Sequence, residues 1–364
     1  MNLAIEPLVI DLDGSLIHTD SLLESATAFV TAHPFQCWRP LGWLLKGGKA
    51  YLKSQLAKVT NIDFATLPYN PEVLEWAKTQ KAMGRKLVLA TASDKTFADA
   101  IANYLGFFDE VLATDANENL KATTKRDALI ARYQQRGFDY AANDRSDLVV
   151  WEAANRAWLV EPSPRLEAQA REIANVAGVF RGPAQSRIKT FAKALRLHQW
   201  LKNLLIFVPL VAAHRLNTPD FLVAAFAFIC FGLCASSAYI LNDLHDVADD
   251  RRHPDKRNRP FASGQLSLST GWLLVPTLFF CSFVAAYLLL PMTFVAVMAG
   301  YYLFTRAYSS LLKKFIILDV VTLAMLYTVR LLAGAAAIAA PLSFWLLAFS
   351  LFIFISLAFI KRYT

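Results

Sequence analysis

The sequence predicts a chain of two parts, an α/β domain over residues 1–185 and an all-α bundle of membrane-spanning helices over residues 186–364. Three observations carry this expectation. Charged and apolar residues mix evenly up to about Arg187, whereas from about Leu204 apolar runs dominate that are too long for a soluble core. The first part holds short apolar strands that end abruptly in polar, chemically capable residues. In the second part the basic residues gather in alternate turns, as topology in a bilayer requires.

The first strand is Leu8–Ile10, which runs into Asp11-Leu12-Asp13-Gly14-Ser15-Leu16. Lys86 to Ala90 is a second apolar strand, leading into Thr91 and Ser93. Lys125 lies in TTKRDALIARY with Lys121 just before it, and Ala142-Asn143-Asp144-Arg145-Ser146-Asp147 forms a later polar turn. The Pro-punctuated stretch Glu161 to Ser186 is the natural connector between the two parts.

Six apolar runs follow: Trp200 to Ala213, Phe221 to Leu241, Leu273 to Leu290, Met292 to Phe304, Phe315 to Ala340 and Leu342 to Ile360. Each approaches the roughly 20 residues of a spanning helix, the first and fourth least well. Basic residues precede the first run (Arg187, Lys189, Lys193, Arg196), separate the second from the third and the fourth from the fifth, and follow the sixth (Lys361, Arg362). The turns near Pro291 and Pro341 carry no charge. The positive-inside rule thus places the rich loops, and the first domain with them, in the cytoplasm of a multi-pass inner-membrane protein. The net charge of +8 is then topogenic, with no call for nucleic acid. No secretory signal is expected, since Met1 to Ile10 is short and runs straight into DLDGS. Cys37, Cys230, Cys234 and Cys281 form no framework and read as packing residues.

Ser236 to Gly264 is the most informative run. Asn242, Asp246 and Asp250 are spaced i, i+4, i+8, so on a continuing helix they share a face flanked by Asp243 and Asp249. Carboxylates stacked this way repel unless a hard cation lies among them. Magnesium suits that position, because it takes one or two carboxylates and completes its shell with substrate phosphates. His253, Lys256, Arg257 and Arg259 downstream offer positive charge to a diphosphate. A solvated loop obeying the positive-inside rule would account for the basic residues but not for aspartates at helical spacing.

The ordered pattern Asn242-Asp243-x-x-Asp246-x-x-x-Asp250, His253-Pro254-x-Lys256-x-x-Arg259-Pro260, Ser263-Gly264 resembles the first aspartate-rich motif of the UbiA superfamily of intramembrane transferases. The opening Arg196-Leu197-His198-Gln199-Trp200-Leu201-Lys202-Asn203 and the series Tyr308, Lys313, Lys314, Asp319, Arg330 resemble its decaprenyl-phosphate phosphoribosyltransferase group. The resemblance implies Mg2+ held by Asp243, Asp246 and Asp250. It implies diphosphate and lipid contacts from Asn242, Lys202, Asn203, Lys256 and Arg259, with Asp319 and Arg330 shaping the pocket. It implies phosphoribosyl transfer from phosphoribosyl pyrophosphate to a polyprenyl phosphate. Aromatic prenyltransferases of the superfamily use a polyprenyl diphosphate donor instead, and that alternative stays open. About six of the family's nine spans are present, so the chain reads as C-terminally truncated, or as completed by a partner or a second copy.

The strand ending in Asp11 and Asp13 resembles motif one of the haloacid dehalogenase (HAD) superfamily, implying a Rossmann-like domain with a helical cap. In that family the first aspartate is the nucleophile and the second the general acid and base. The resemblance carries over a phosphate-holding hydroxyl to Thr91 or Ser93 and the charge-offsetting lysine to Lys125. It carries magnesium ligation to Asp11, the Asp13 carbonyl, Asn143 and Asp147. Asn143 stands where the family often has an aspartate; pairing Asp144 with Asp147 leaves the spacing one residue short. A membrane-anchored HAD phosphatase and an inactive fragment are the competing functions.

Overall fold

The computed structural model describes residues 6–114, 120–182, 186–310 and 316–363. The chain forms two compact units, one of Met1–Ser186 with His245–Ser269 and one of Arg187–Leu244 with Thr270–Thr364. The boundary expected near residue 185 is thus joined by a second exchange: the stretch after the second apolar run belongs to the first unit.

In the first unit, chain order is β1 (Leu8–Ile10), α1 (Ser21–Ala32), α2 (Arg39–Val59), α3 (Pro71–Ala82), β2 (Leu87–Asp94), α4 (Lys95–Leu105), β3 (Glu110–Thr114), α5 (Thr123–Tyr133), β4 (Asp139–Ala142), α6 (Leu148–Ala153), β5 (Arg156–Val160), α7 (Pro164–Ile173) and β6 (Val176–Phe180). The six strands make one parallel sheet in the order β3-β2-β1-β4-β5-β6. β1 is fully buried and pairs with β2 on one side and β4 on the other, Val9 lying between Val88 and Tyr140. That explains its uninterrupted apolar sequence, since helices cover both faces of a parallel sheet. One apolar layer contains Leu8, Ile10, Leu87, Leu89 and Ile101; the other contains Val9, Val88, Leu129, Phe138 and Trp151. Asp11 follows β1 directly, at the carboxyl edge of the sheet where the chain order reverses, the usual ligand position in such folds.

Helices α1 and α2 pack through Phe29, Leu52 and Leu56. Asp20 caps α1 by accepting from the Leu22 and Leu23 amides. α2 breaks at Gly47 and Gly48; Gly48 has φ +68° and ψ −166°, a conformation open essentially to glycine alone.

The second unit contains α8 (Arg187–Ala194), a 3₁₀ stretch (Leu197–Phe207), α9 (Val208–Ala212) and α10 (Thr218–His245). α11 (Val247–Arg252) follows in the first unit, and α12 (Leu268–Leu289), α13 (Met292–Ser310), α14 (Ile316–Ala337) and α15 (Phe344–Tyr363) complete the chain. Three helices among the described residues are long and apolar enough to cross a membrane: Thr218–His245, Leu268–Leu289 and Leu318–Ala337. The first expected span differs most from expectation, being largely 3₁₀ in form and continuing into a short helix. Pro209 explains where that helix begins, since proline lacks the amide a longer helix through this point would use. The bundle core gathers Ile206, Phe231, Cys234, Phe294, Met298, Tyr301 and Leu326.

Candidate active sites

In the first unit a cavity of about 480 Å³ opens above the carboxyl end of β1. Asp11, Asp13, Lys125, Asn143 and Asp147 line it, with Lys49 and Lys53 contributed by α2. The Lys125 ammonium donates to Asp11 Oδ1 at 2.6 Å and to the Tyr140 hydroxyl at 3.0 Å, with Asp147 Oδ1 3.8 Å away. Burial opposes its charge, but Asp11 and Asp147 outweigh burial and its pKa is raised. Tyr140 donates to Asp147 Oδ1 at 2.8 Å, and the Asp144 amide donates to Asp147 Oδ2 at 3.1 Å. The Ser15 hydroxyl lies 3.4 Å from Asp11 Oδ2 and 3.3 Å from Asn143 Oδ1, linking the first and last polar turns.

Asp13 is held differently. Its carboxylate accepts from the Ser21 amide at 2.8 Å and from the Ser93 hydroxyl at 2.6 Å. Burial and the charge of Asp20 push its pKa up to about 6, suiting a group that must give and take a proton near neutrality. Asp147 is likewise pushed up to about 6, by burial and then by Asp11. Thr91 does not reach the cavity: fully buried, it accepts the Ser93 amide and donates to the Ser93 hydroxyl, both at 3.0 Å. Ser93 in turn positions Asp13, so the expected phosphate-holding hydroxyls serve as an internal brace.

The residues present fit magnesium here. Asp11 and Asp147 are buried carboxylates within reach of one lysine, and Asn143 supplies a neutral oxygen beside them. Two carboxylates with an amide oxygen leave room for phosphate in the shell of a hard cation.

In the second unit a cavity of about 250 Å³ is lined by Arg196, Lys202, Asn242, Tyr301, Tyr327 and Arg330, among others. Arg330 is 3% exposed and donates from Nε to Asn203 Oδ1 at 2.9 Å. The rings of Phe231, Tyr301 and Tyr327 surround its guanidinium at 5.3–5.7 Å. Lys202 lies 5.4 Å from the Tyr327 ring centre. Arg196 pairs with Asp243 and stacks over Tyr239 at 5.2 Å. The Tyr308 hydroxyl donates to Asp319 at 2.6 Å. Lys202, Asn242 and Arg330 therefore share one cavity, while Asn203, Asp243 and Asp319 stand behind it, each holding a wall residue.

The acidic motif departs from the continuous helix expected for it. α10 ends at His245, and Asp246 takes φ −93°, ψ 10°, outside the helical region, before α11 starts at Val247. The i, i+4, i+8 spacing therefore does not describe one straight face. Asp250, in the first unit, accepts from Arg259 at 2.7 Å; burial raises its pKa although Arg259 opposes the rise. Among the described residues no three acidic, histidine or cysteine side chains gather as metal ligands. Asp243 and Asp250 each hold an arginine instead. Lys256 belongs to the first unit, and Lys313 and Lys314 lie outside the described residues.

Sequence reasoning missed several walls. Arg196 belongs to the opening motif, but its pairing with Asp243 is not visible in the sequence. Tyr301 and Thr305 recur at helical spacing with Tyr308 of the expected series and line the same cavity, a signal legible in principle. Lys49 and Lys53 carried none, being two lysines on a long cap helix.

Residues 203–363 match the UbiA prenyltransferase family. Protein y4nM of Sinorhizobium fredii is 38% identical over 361 residues, covering 98% of this chain and 69% of that protein. Decaprenyl-phosphate phosphoribosyltransferase of Mycolicibacterium smegmatis is 37% identical over 187 residues, covering 50% of this chain and 58% of that enzyme. A UbiA homolog from Archaeoglobus fulgidus, solved bound to DMAPP and Mg2+, is similar over 46% of this chain and 61% of its own, with 21% identity and a TM-score of 0.41. A probable phosphoserine phosphatase from Vibrio cholerae covers 46% of this chain and 59% of its own, with 23% identity and a TM-score of 0.31.

The described residues form a parallel α/β unit and a unit of long apolar helices, each with its own polar cavity. Residues 203–363 are a UbiA prenyltransferase family domain, and the chain as a whole belongs with y4nM, its relative along nearly its whole length. It spans a little over half the length of the phosphoribosyltransferases that it matches.

Proposed function

We propose that the chain is a magnesium-dependent membrane transferase that moves phosphoribosyl from phosphoribosyl pyrophosphate to a polyprenyl phosphate. The observation that carries this reading is the cavity of Arg196, Lys202, Asn242 and Arg330, three cations and an amide in an apolar bundle. Arg196, although paired with Asp243, lines this cavity together with Lys202 and Arg330, a concentration of positive charge that suits a diphosphate. The relation to decaprenyl-phosphate phosphoribosyltransferases supports that donor and acceptor over an allylic diphosphate with an aromatic acceptor.

In this reading Asn242, which lines the cavity, and Asp243, which holds Arg196 beside it, would meet the magnesium-bound diphosphate. When bound, magnesium would neutralise the charge that the diphosphate gains on leaving. Lys202 holds phosphate oxygens from the cavity wall. Asn203 fixes the Arg330 fork and Asp319 fixes Tyr308, so both act on substrate through a neighbour.

The test supplies membranes containing the chain with magnesium, labelled phosphoribosyl pyrophosphate and polyprenyl phosphate. Label should enter the organic phase, and an Asp243→Ala/Asp246→Ala variant should lose roughly a hundredfold or more of that rate. Equal transfer by the variant would sink the assignment.

A second activity rests on its own geometry. Asp11 against Lys125, with Asp13 near pKa 6, supports phosphate-ester hydrolysis by the HAD-like domain, which would also serve a cytoplasmic location for it. Asp11→Asn should abolish aryl phosphate hydrolysis and leave lipid labelling intact.

A further inference from the structure

The segment after α10 does more than connect two helices. Arg251 and Glu24 form a two-pronged ion pair, Nη1 to Oε2 at 3.0 Å and Nη2 to Oε1 at 2.7 Å, with both side chains 6% exposed. These residues stand 227 positions apart. Arg251 Nε also donates to the Ala262 carbonyl at 2.9 Å, fixing the return of the segment. Glu24 Oε1 accepts in addition from the Thr19 hydroxyl at 2.7 Å, and Thr19 lines the HAD-like cavity. The segment then reaches the cavity itself, where Ser267 and Leu268 complete the wall. Gly264 makes that approach possible: it has φ +77°, and a Cβ there would lie 2.5 Å from the His18 carbonyl oxygen.

A buried carboxylate with one arginine is costly to break, because either partner alone is left charged and dry. Such a pair on a loop fixes geometry more than it adds net stability. A free loop would leave Leu268, now 2% exposed, open to solvent rather than buried in the cavity wall.

We propose that residues 264–268 are a working wall of the HAD-like phosphate-ester cavity, and that Glu24 and Arg251 are positioning residues that hold it closed around the ester's leaving group. The chemical class accommodated is an alcohol with an apolar portion, facing Leu22, Leu23 and Leu268, and an anionic portion, facing Lys49 and Lys53. This rests on the hydrolytic reading of Asp11, and the experiment separates the two.

The full-length chain in detergent, with Cys37→Ser and Cys281→Ser removing the exposed thiols, carries Leu268→Cys as a buried reporter in the wall. Its rate of alkylation by a charged reagent is followed with and without inorganic phosphate and magnesium. Adding Arg251→Met should raise the rate by roughly tenfold, the change that about 1.4 kcal/mol of easier local opening produces. The neutral pair Glu24→Gln/Arg251→Met, which leaves no buried charge unpaired, should raise it as well and guards against simple misfolding. Unchanged rates in both variants would overturn the clasp and the wall. Phosphate should slow alkylation in the parent. Should the clasp variants speed labelling while phosphate gives no protection, the wall stands and the hydrolytic reading falls.

Discussion

At Asn143 a single atom separates this chain from a fully carboxylate metal site. Its Oδ1 accepts from Ser15, which also contacts Asp11, so the side chain sits against the first turn with an amide in place of a charge. Gly14 is pressed against that amide so closely that any side chain there would collide with it, which keeps Asn143 in place. Asn143→Asp is isosteric and adds a hard anionic ligand beside Asp11 and Asp147. The magnesium concentration giving half-maximal aryl phosphate hydrolysis should fall by roughly tenfold. An unchanged requirement would place Asn143 outside the metal's reach. The sequence could suggest this residue through its place in a polar turn, but not the shared serine that ties it to Asp11.

At the scale of elements, close packing decides what the apolar runs become. Gly334 of α14 touches the backbone of Ile206 in the 3₁₀ stretch, leaving no room for a Cβ, and Gly232 of α10 meets the Trp200 ring. These contacts bring Asn203 beside Arg330 and thereby orient the guanidinium. Gly334→Ala should destabilise the bundle by about 1–3 kcal/mol and weaken lipid labelling with it, checked by thermal melting in detergent alongside transfer. A variant that melts normally and transfers normally would show that the contact relaxes freely. Strand β1 was legible because Leu8–Ile10 is wholly apolar and ends in two aspartates. The break at Asp246 was not, because residue spacing reports which face a helix would present and says nothing of one residue's φ and ψ. The Glu24–Arg251 pair was equally hidden, since no local pattern joins residues so distant.

At the scale of the whole molecule, buried acids tie stability to pH. Asp13 and Asp147 both titrate near 6 in the folded protein, against an ordinary carboxylate value of 3.8. The folded state therefore binds their protons more tightly than the unfolded state does. Their stabilising contribution is full below about pH 4 and is lost as pH rises through 6. Without divalent cations the α/β domain should melt lower at pH 7 than at pH 5, and magnesium should recover the difference at pH 7 by favouring ionised ligands. A melting temperature indifferent to pH over this window would contradict the burial of these groups.

The discontinuity of the first unit also imposes an order on synthesis. All six strands, ending at Phe180, leave the ribosome before α10 does, yet Arg251 and Ser267 arrive only after it. Until that hairpin is threaded, the nascent α/β domain carries an acid at Glu24 whose counter-charge has not yet been made. The cavity acquires its last wall only once the first long apolar helix has been translated, so its completion becomes a record that synthesis has passed that helix.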